Sequence, residues 1–185
     1  MATQKICIFL FSTLLFANGY SQNLIPVDEG SAIKFTIKNF GFSTYGSFSG
    51  IKGKIQFDEA NIGTAGFMVS VNAASINTDN GTRDKHLRKE DYFYVEKYPV
   101  INFASVSVKK DEKAGFFLMT GKLTIKGITK QISFPFTETA QKSGFLFSGT
   151  FNINRRDFGV GGSSMVMSDN LQVSLSVFCK ANKSP

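Results

Sequence analysis

Between Ile33 and Val177 the chain returns again and again to strict alternation of apolar and polar residues, and this period of two restricts the fold more than any other feature. In "AIKFTIK" Ile33, Phe35 and Ile37 point one way while Lys34, Thr36 and Lys38 point the other. The pattern recurs in "GIKGKIQF" (Ile51, Ile55, Phe57), "GFMVSVNA" (Phe67, Val69, Val71) and "FLMTGKLTI" (Phe117, Met119, Leu123, Ile125). It recurs again in "QISFPF" (Ile132, Phe134, Phe136), "GFLFSGTFNI" (Phe145, Phe147, Phe151, Ile153) and "LQVSLSVF" (Leu171, Val173, Leu175, Val177). "VINFASVSV" is an eighth run of less regular phase. About eight strands, each with one apolar face, predict an all-β antiparallel barrel or sandwich. Pro135 has no N–H to give a ladder, so its strand is expected at an edge or with a bulge.

Residues 1–21 have a different character. Lys5 precedes an apolar run, Ile6 to Ala17, too short to span a bilayer, and Gly19-Tyr20-Ser21 forms a small-x-small site. This is the pattern of a secretory signal cut before Gln22, so the expected product is periplasmic or secreted, with one domain over 22–185. Cys179 is then the one remaining thiol, and its place in an apolar alternation predicts a buried, inert side chain rather than a nucleophile. Without Lys5 the formal charge of +7 becomes +6. The lysines are spread over many strands and form no basic stripe with interleaved aromatics, which argues against nucleic acid as a partner.

One stretch, "NTDNGTRDKHLRKEDYF" (77–93), interrupts the β pattern and holds the single histidine, His86. Thr78, Asp79 or Asn80 can cap a short helix over roughly Thr82 to Lys89, with Leu87 as its apolar contact. Asp91-Tyr92-Phe93 starts a further turn that ends before Tyr98-Pro99. Catalytic machinery is not evident: His86 and Asp84 are two apart and share no helix face, and there is no G-x-S-x-G elbow. One His and one Cys far apart have no metal-ligand spacing. "RRDFGVGG" (155–162) carries a kinase-like triplet without any companion motif, so Gly159, Gly161 and Gly162 are read as turn or bulge positions. The expectation for 77–93 is structural: Arg83 and Asp84 tie the helical segment to a barrel rim through hydrogen bonds and a charge pair, while Leu87, Tyr92 and Phe93 cover the open end.

"SINTDNGTRDKHLRKEDYFYVEKYPVINF" (75–103) closely resembles the signature of the YceI-like family, S-I-x-T-x-N-x-x-R-D-x-H-L-x-x-x-D-F-F-x-V-x-x-Y-P-x-I-x-F. "GSFSGIKGKIQFD" (46–58), "GKLTIKGITKQISFPF" (121–136) and "INRRDFGVG" (153–161) resemble further segments of that family, so the likeness spans nearly all of the chain after residue 21. One departure is Asn39, where the family often has a histidine. The resemblance implies an extended lipocalin-like, eight-stranded antiparallel β-barrel with a short helical segment near residues 80–95. It also implies export, a long isoprenoid or similar lipid held inside, no established catalytic activity and no cofactor. Family members are further implicated in stress or base-induced responses.

Composition is compatible with that expectation. Of 20 phenylalanines three (Phe9, Phe11, Phe16) leave with the signal, tryptophan is absent, and the rest give a smooth apolar wall suited to an alkyl or polyprenyl tail. An overfilled core would have the same composition, and an eight-stranded barrel is compatible with either state. The expected tail contacts are Phe35, Ile37, Phe67, Val69 and Phe103 on the early strands and Phe117, Met119, Phe134, Phe147 and Phe151 on the later ones. Arg83, Asp84, His86, Leu87, Tyr92 and Phe93 are expected at the rim or lid. Partners compatible with this reading are a polyisoprenoid, an isoprenoid quinone or another long-chain lipid, with transient membrane contact and a homodimer as further contacts. Two readings compete: a small periplasmic lipid- or quinone-modifying enzyme using His86, which requires that side chain to face the cavity, and a packed, ligand-free interaction protein.

Overall fold

The structure is a computed structural model that describes residues 22–181; the expected export signal, 1–21, lies outside the described residues. Ten strands are found there: β1 (Gln22–Pro26), β2 (Ala32–Asn39), β3 (Phe42–Phe48), β4 (Lys52–Phe57), β5 (Gly66–Asn72), β6 (Val100–Lys110), β7 (Phe117–Ile125), β8 (Ile128–Gln141), β9 (Gly144–Asn154) and β10 (Met167–Ala181). They form one antiparallel sheet in the order β1-β4-β5-β6-β7-β8-β9-β10-β2-β3, and an extra β1–β10 pairing closes it. The long β10 pairs with β2 through its first part and with β1 through its last, so β1 and β2 act as one stave broken at 27–31. β3 and β4 likewise form one stave, bent at Ser49-Gly50-Ile51. The result is an eight-stranded barrel: the alternation left barrel and sandwich open, and the barrel is the one of the two that the family resemblance implied.

β1 and β3 escaped the sequence reading. β1 has only five residues and ends in Pro26, and "FSTYGSF" of β3 offers little apolar contrast between its two faces. The irregular phase of β6 has a direct cause. Its register with β7 slips between Ser105 and Ser107, so Ile101 and Phe103 face inward before the bulge and Val108 after it, leaving Val106 exposed. The Pro135 expectation is met only locally. The barrel closes, so β8 is not an edge strand, but its ladder with β9 stops at Phe136 opposite Gly149, and Pro135 is the first residue beyond that point.

The two ends differ. At the lower end, where β4 meets β5 and β6 meets β7, Phe57 is the hub of an aromatic cluster. Its ring lies 5.2 Å from Phe117, 5.3 Å from Phe147 and 6.2 Å from both Phe67 and Phe136, each edge-on. Leu24, Val108 and buried Cys179 complete this floor, and Ile62 of the 59–64 turn and Ala65 directly after it pack against it. Burial pushes the Cys179 thiol up to about 12, which keeps it protonated and unreactive, as expected. Glu138, next on the inward phase of β8 after Phe136, has its carboxyl pushed above the usual range by desolvation, and Glu59 nearby adds to the effect.

Candidate functional site

The upper end carries the lid. After β5 a 3-10 turn (Ala73–Ser75) leads to Ile76, fully buried, and Asn77 then forms an isolated bridge with Ser47 of β3, both N–H groups donating to the opposite carbonyl at 2.9 and 3.0 Å. This bridge fastens the lid segment along the side of β3 that no strand covers. Helix α1 (Gly81–Leu87) follows, starting one residue and ending two residues before the expected Thr82–Lys89; Asn80 caps it, its side-chain oxygen accepting from the Arg83 N–H at 2.9 Å.

Arg83 and Asp84 do anchor the lid, but not as a charge pair. Both converge on Thr78. The Thr78 hydroxyl donates to the Asp84 carboxylate at 2.5 Å and accepts from Arg83 Nε at 2.7 Å, while Arg83 Nη2 donates to the Thr78 carbonyl at 2.6 Å. The Thr78 N–H also donates to Asp84, at 3.0 Å, so this buried carboxylate satisfies two buried donors and needs no cation. Arg88 adds a tie the sequence reading missed, donating to the carbonyls of Ala74 and Ile76 at 2.8 and 3.0 Å.

Beneath the lid lies a cavity of about 260 Å³. That exceeds the roughly 150 Å³ at which an apolar cavity stays dry and takes up benzene. Its wall includes Phe35, Ile37, Phe67, Val69, Phe103, Met119, Phe134, Phe147 and Phe151, nine of the ten expected contacts. Phe117 lies lower, in the floor cluster against Phe57 and Phe136. Among the lid residues Arg83, Leu87, Tyr92 and Phe93 line the cavity; Asp84 is buried in its Thr78 contacts. His86 is exposed, with its ring against Tyr92 at 5.0 Å, and does not line the cavity. Asn39 and Thr44, both half-buried, and Met167 line it where β2, β3 and β10 meet.

Two glycines keep this upper half open. A Cβ on Gly46 would lie 2.3 Å from the Phe35 ring opposite it on β2, and one on Gly121 would lie 2.2 Å from the Phe103 ring. With no side chain there, the tip of each ring occupies the space over the glycine that a Cβ would otherwise fill.

The fourth side of the lid is the 155–162 segment. Arg155, buried, donates to the carbonyls of Ser168, Val160 and Gly162 at 3.0, 2.9 and 2.9 Å and pairs with Asp169 at 2.6 Å. Gly159 and Gly161 take positive φ (63° and 69°), as their reading as turn positions required, and the Gly161 N–H donates to the Asp91 carbonyl at 2.8 Å. Tyr92 and Phe93 thereby pack on Leu123, Ile125, Phe158 and Val160. The cue for Arg155 was in the sequence, a cation beside a glycine-rich run with unpaired carbonyls, yet which carbonyls it reaches depends on the turn.

A closed antiparallel barrel of eight staves, filled at one end and hollow and lidded with an apolar wall at the other, is a lipocalin-like fold. The chain belongs to the YceI-like family: the family's YceI-like domain model matches residues 26–178. It is 34% identical over 154 residues to the UPF0312 protein YE1254 of Yersinia enterocolitica, covering 78% of each chain. Its fold is similar to that of Burkholderia cenocepacia BcnA (TM-score 0.75, 23% identity, 80% of this chain and 95% of that one). It is also similar to that of a polyisoprenoid binding domain from Saccharophagus degradans implicated in plant cell wall breakdown (TM-score 0.68, 16% identity, 88% and 99%).

Proposed function

We propose that this protein is an exported carrier that holds the apolar tail of a polyisoprenoid, an isoprenoid quinone or a similar long-chain lipid in the upper half of its barrel. The observation that carries the reading is the lidded cavity of about 260 Å³, walled by phenylalanine and aliphatic side chains and floored by the Phe57 cluster. Each buried methylene is worth about 0.8 kcal/mol, and such a wall needs no polar anchor to hold a tail. The polyisoprenoid binding domain from Saccharophagus degradans, similar in fold, supports the same ligand class. Arg83, with one edge of its guanidinium engaged by Thr78, stands at the cavity where a polar head group would sit. Export rests on the signal pattern of residues 1–21.

The exposed position of His86 weighs against an enzyme that uses it as a base on a ligand in the cavity. The cavity itself weighs against a fully packed barrel. Mass spectrometry of an organic extract of the protein, purified without detergent from its native host, tests the proposal. A stoichiometric polyprenyl, quinone or other long-chain lipid is expected; an empty extract from protein that also fails to take up a polyene fatty acid would overturn it.

A further inference from the structure

The β2–β3 hairpin ends in a two-residue turn, Phe40-Gly41, closed by Asn39 opposite Phe42. Both turn residues have positive φ, 51° and 79°, the type I′ geometry that favours Asn-Gly and disfavours a bulky first residue. Phe40 nevertheless occupies it and is 69% exposed; Phe42 is 78% exposed. Neither burial nor turn chemistry accounts for an aromatic residue at this tip. Beside it, the Phe40 N–H donates to the Val166 carbonyl at 2.8 Å, bringing exposed Met165 and Val166 alongside. The patch continues into the ligand cavity: Phe42 lies on the same strand face as Thr44, and Asn39 pairs with Met167, all three of these neighbours lining the cavity.

Charge gives the patch a direction. Lys34 and Lys38 stand exposed on the outer face of the hairpin, with Tyr45 between them on the paired strand, and no carboxylate occurs in 32–48 or in 159–168. Aromatic and thioether side chains flanked by cations, at the mouth of an apolar cavity, match the interfacial layer of an anionic bilayer, where the rings reach the acyl boundary and the lysines meet head groups.

We propose that the Phe40–Phe42 hairpin tip, with Met165 and Val166, is a docking surface for anionic lipid bilayers that sets the cavity mouth against the membrane for transfer of the ligand. The proposal rests on the carrier reading, and its test separates the two. Sedimentation with phosphatidylglycerol vesicles, with phosphatidylcholine vesicles as comparison, is to be measured for the wild-type protein and for Phe40→Asn/Phe42→Thr, a variant that suits the turn and the strand. Wild-type protein should sediment with phosphatidylglycerol, less with phosphatidylcholine and less at high salt; the variant should bind at least about tenfold more weakly. Uptake of cis-parinaric acid without vesicles should be the same for both. Equal sedimentation of the two proteins, no sedimentation of either, or a vesicle-free dimer that the variant dissolves would overturn the docking surface. Failure of cis-parinaric acid to bind protein whose organic extract is also empty, with vesicle binding intact, would leave the docking surface standing and remove the carrier reading.

Discussion

Replacing Phe57 by alanine tests the division of this barrel into a filled and a hollow half. Phe57 is 6% exposed and has four aromatic neighbours, two of them with centroids within 5.3 Å. Removing such a ring from a packed site costs about 3–5 kcal/mol, and the four edge-on contacts put this case toward the upper end. Against a total stability of about 5–15 kcal/mol this is a large share, and for a domain of this size it lowers Tm by roughly 10–15 °C. Phe35→Ala is the comparison. Phe35 is half-buried and one side of its ring faces the cavity, so fewer contacts are lost and the expected cost is about 1–2 kcal/mol. Urea unfolding of the two variants with a common slope, supported by thermal melts, gives the difference directly. If Phe35→Ala costs as much as Phe57→Ala, the upper half is packed as tightly as the floor and the reasoning fails.

Gly46→Ala should force the Phe35 ring off the wall and into the cavity, reducing uptake of cis-parinaric acid severalfold at a stability cost of about 1–3 kcal/mol; unchanged uptake in a fluorescence titration would refute it. Arg83→Ala should leave the buried Thr78–Asp84 pair in place but free the helix on one side, costing about 1–2 kcal/mol and speeding ligand release, read by stopped-flow. Glu138→Gln should stabilise the protein at neutral pH. Because the folded carboxyl titrates above its ordinary value of 4.5, the folded state binds the extra proton first, so the wild type loses stability as pH rises through that interval. The gap between variant and wild type, measured by urea unfolding across pH, should close as pH falls below 4.5, and a gap that widens toward acid would contradict this. Cys179, with its thiol pushed up to about 12, should resist an aromatic disulfide reagent at pH 8 until the chain is unfolded; labelling of the native protein would contradict its burial.

What could be read along the chain was whatever depends on near neighbours. A strand's two faces alternate because of its own pleat, so Phe67, Phe134 and Phe147 were assigned inward from periodicity alone. The lid was visible for the same reason, since a break in alternation and a capping Asn80 are local signals. Phase was lost where the pattern itself was weak or broken: at the Ser105/Ser107 slip, in the five-residue β1, and in β3, whose polar "STYGS" leaves its buried face unmarked.

Only the tertiary structure decided how the inward rings share the barrel. Phe117 and Phe103 are indistinguishable by phase, yet Phe117 meets Phe57 in the floor while Phe103 lies back on Gly121 and leaves a space. Thr78, rather than an Arg83–Asp84 ion pair, holds the lid, and Arg155 joins the Val160 and Gly162 carbonyls after the turn at Gly159 to that of Ser168 on β10. Whether a barrel is full or hollow is a sum of volumes over residues far apart in sequence, and it is fixed by register, tilt and closure. Alternation sets which side chains enter the interior; the folded wall sets whether they fill it.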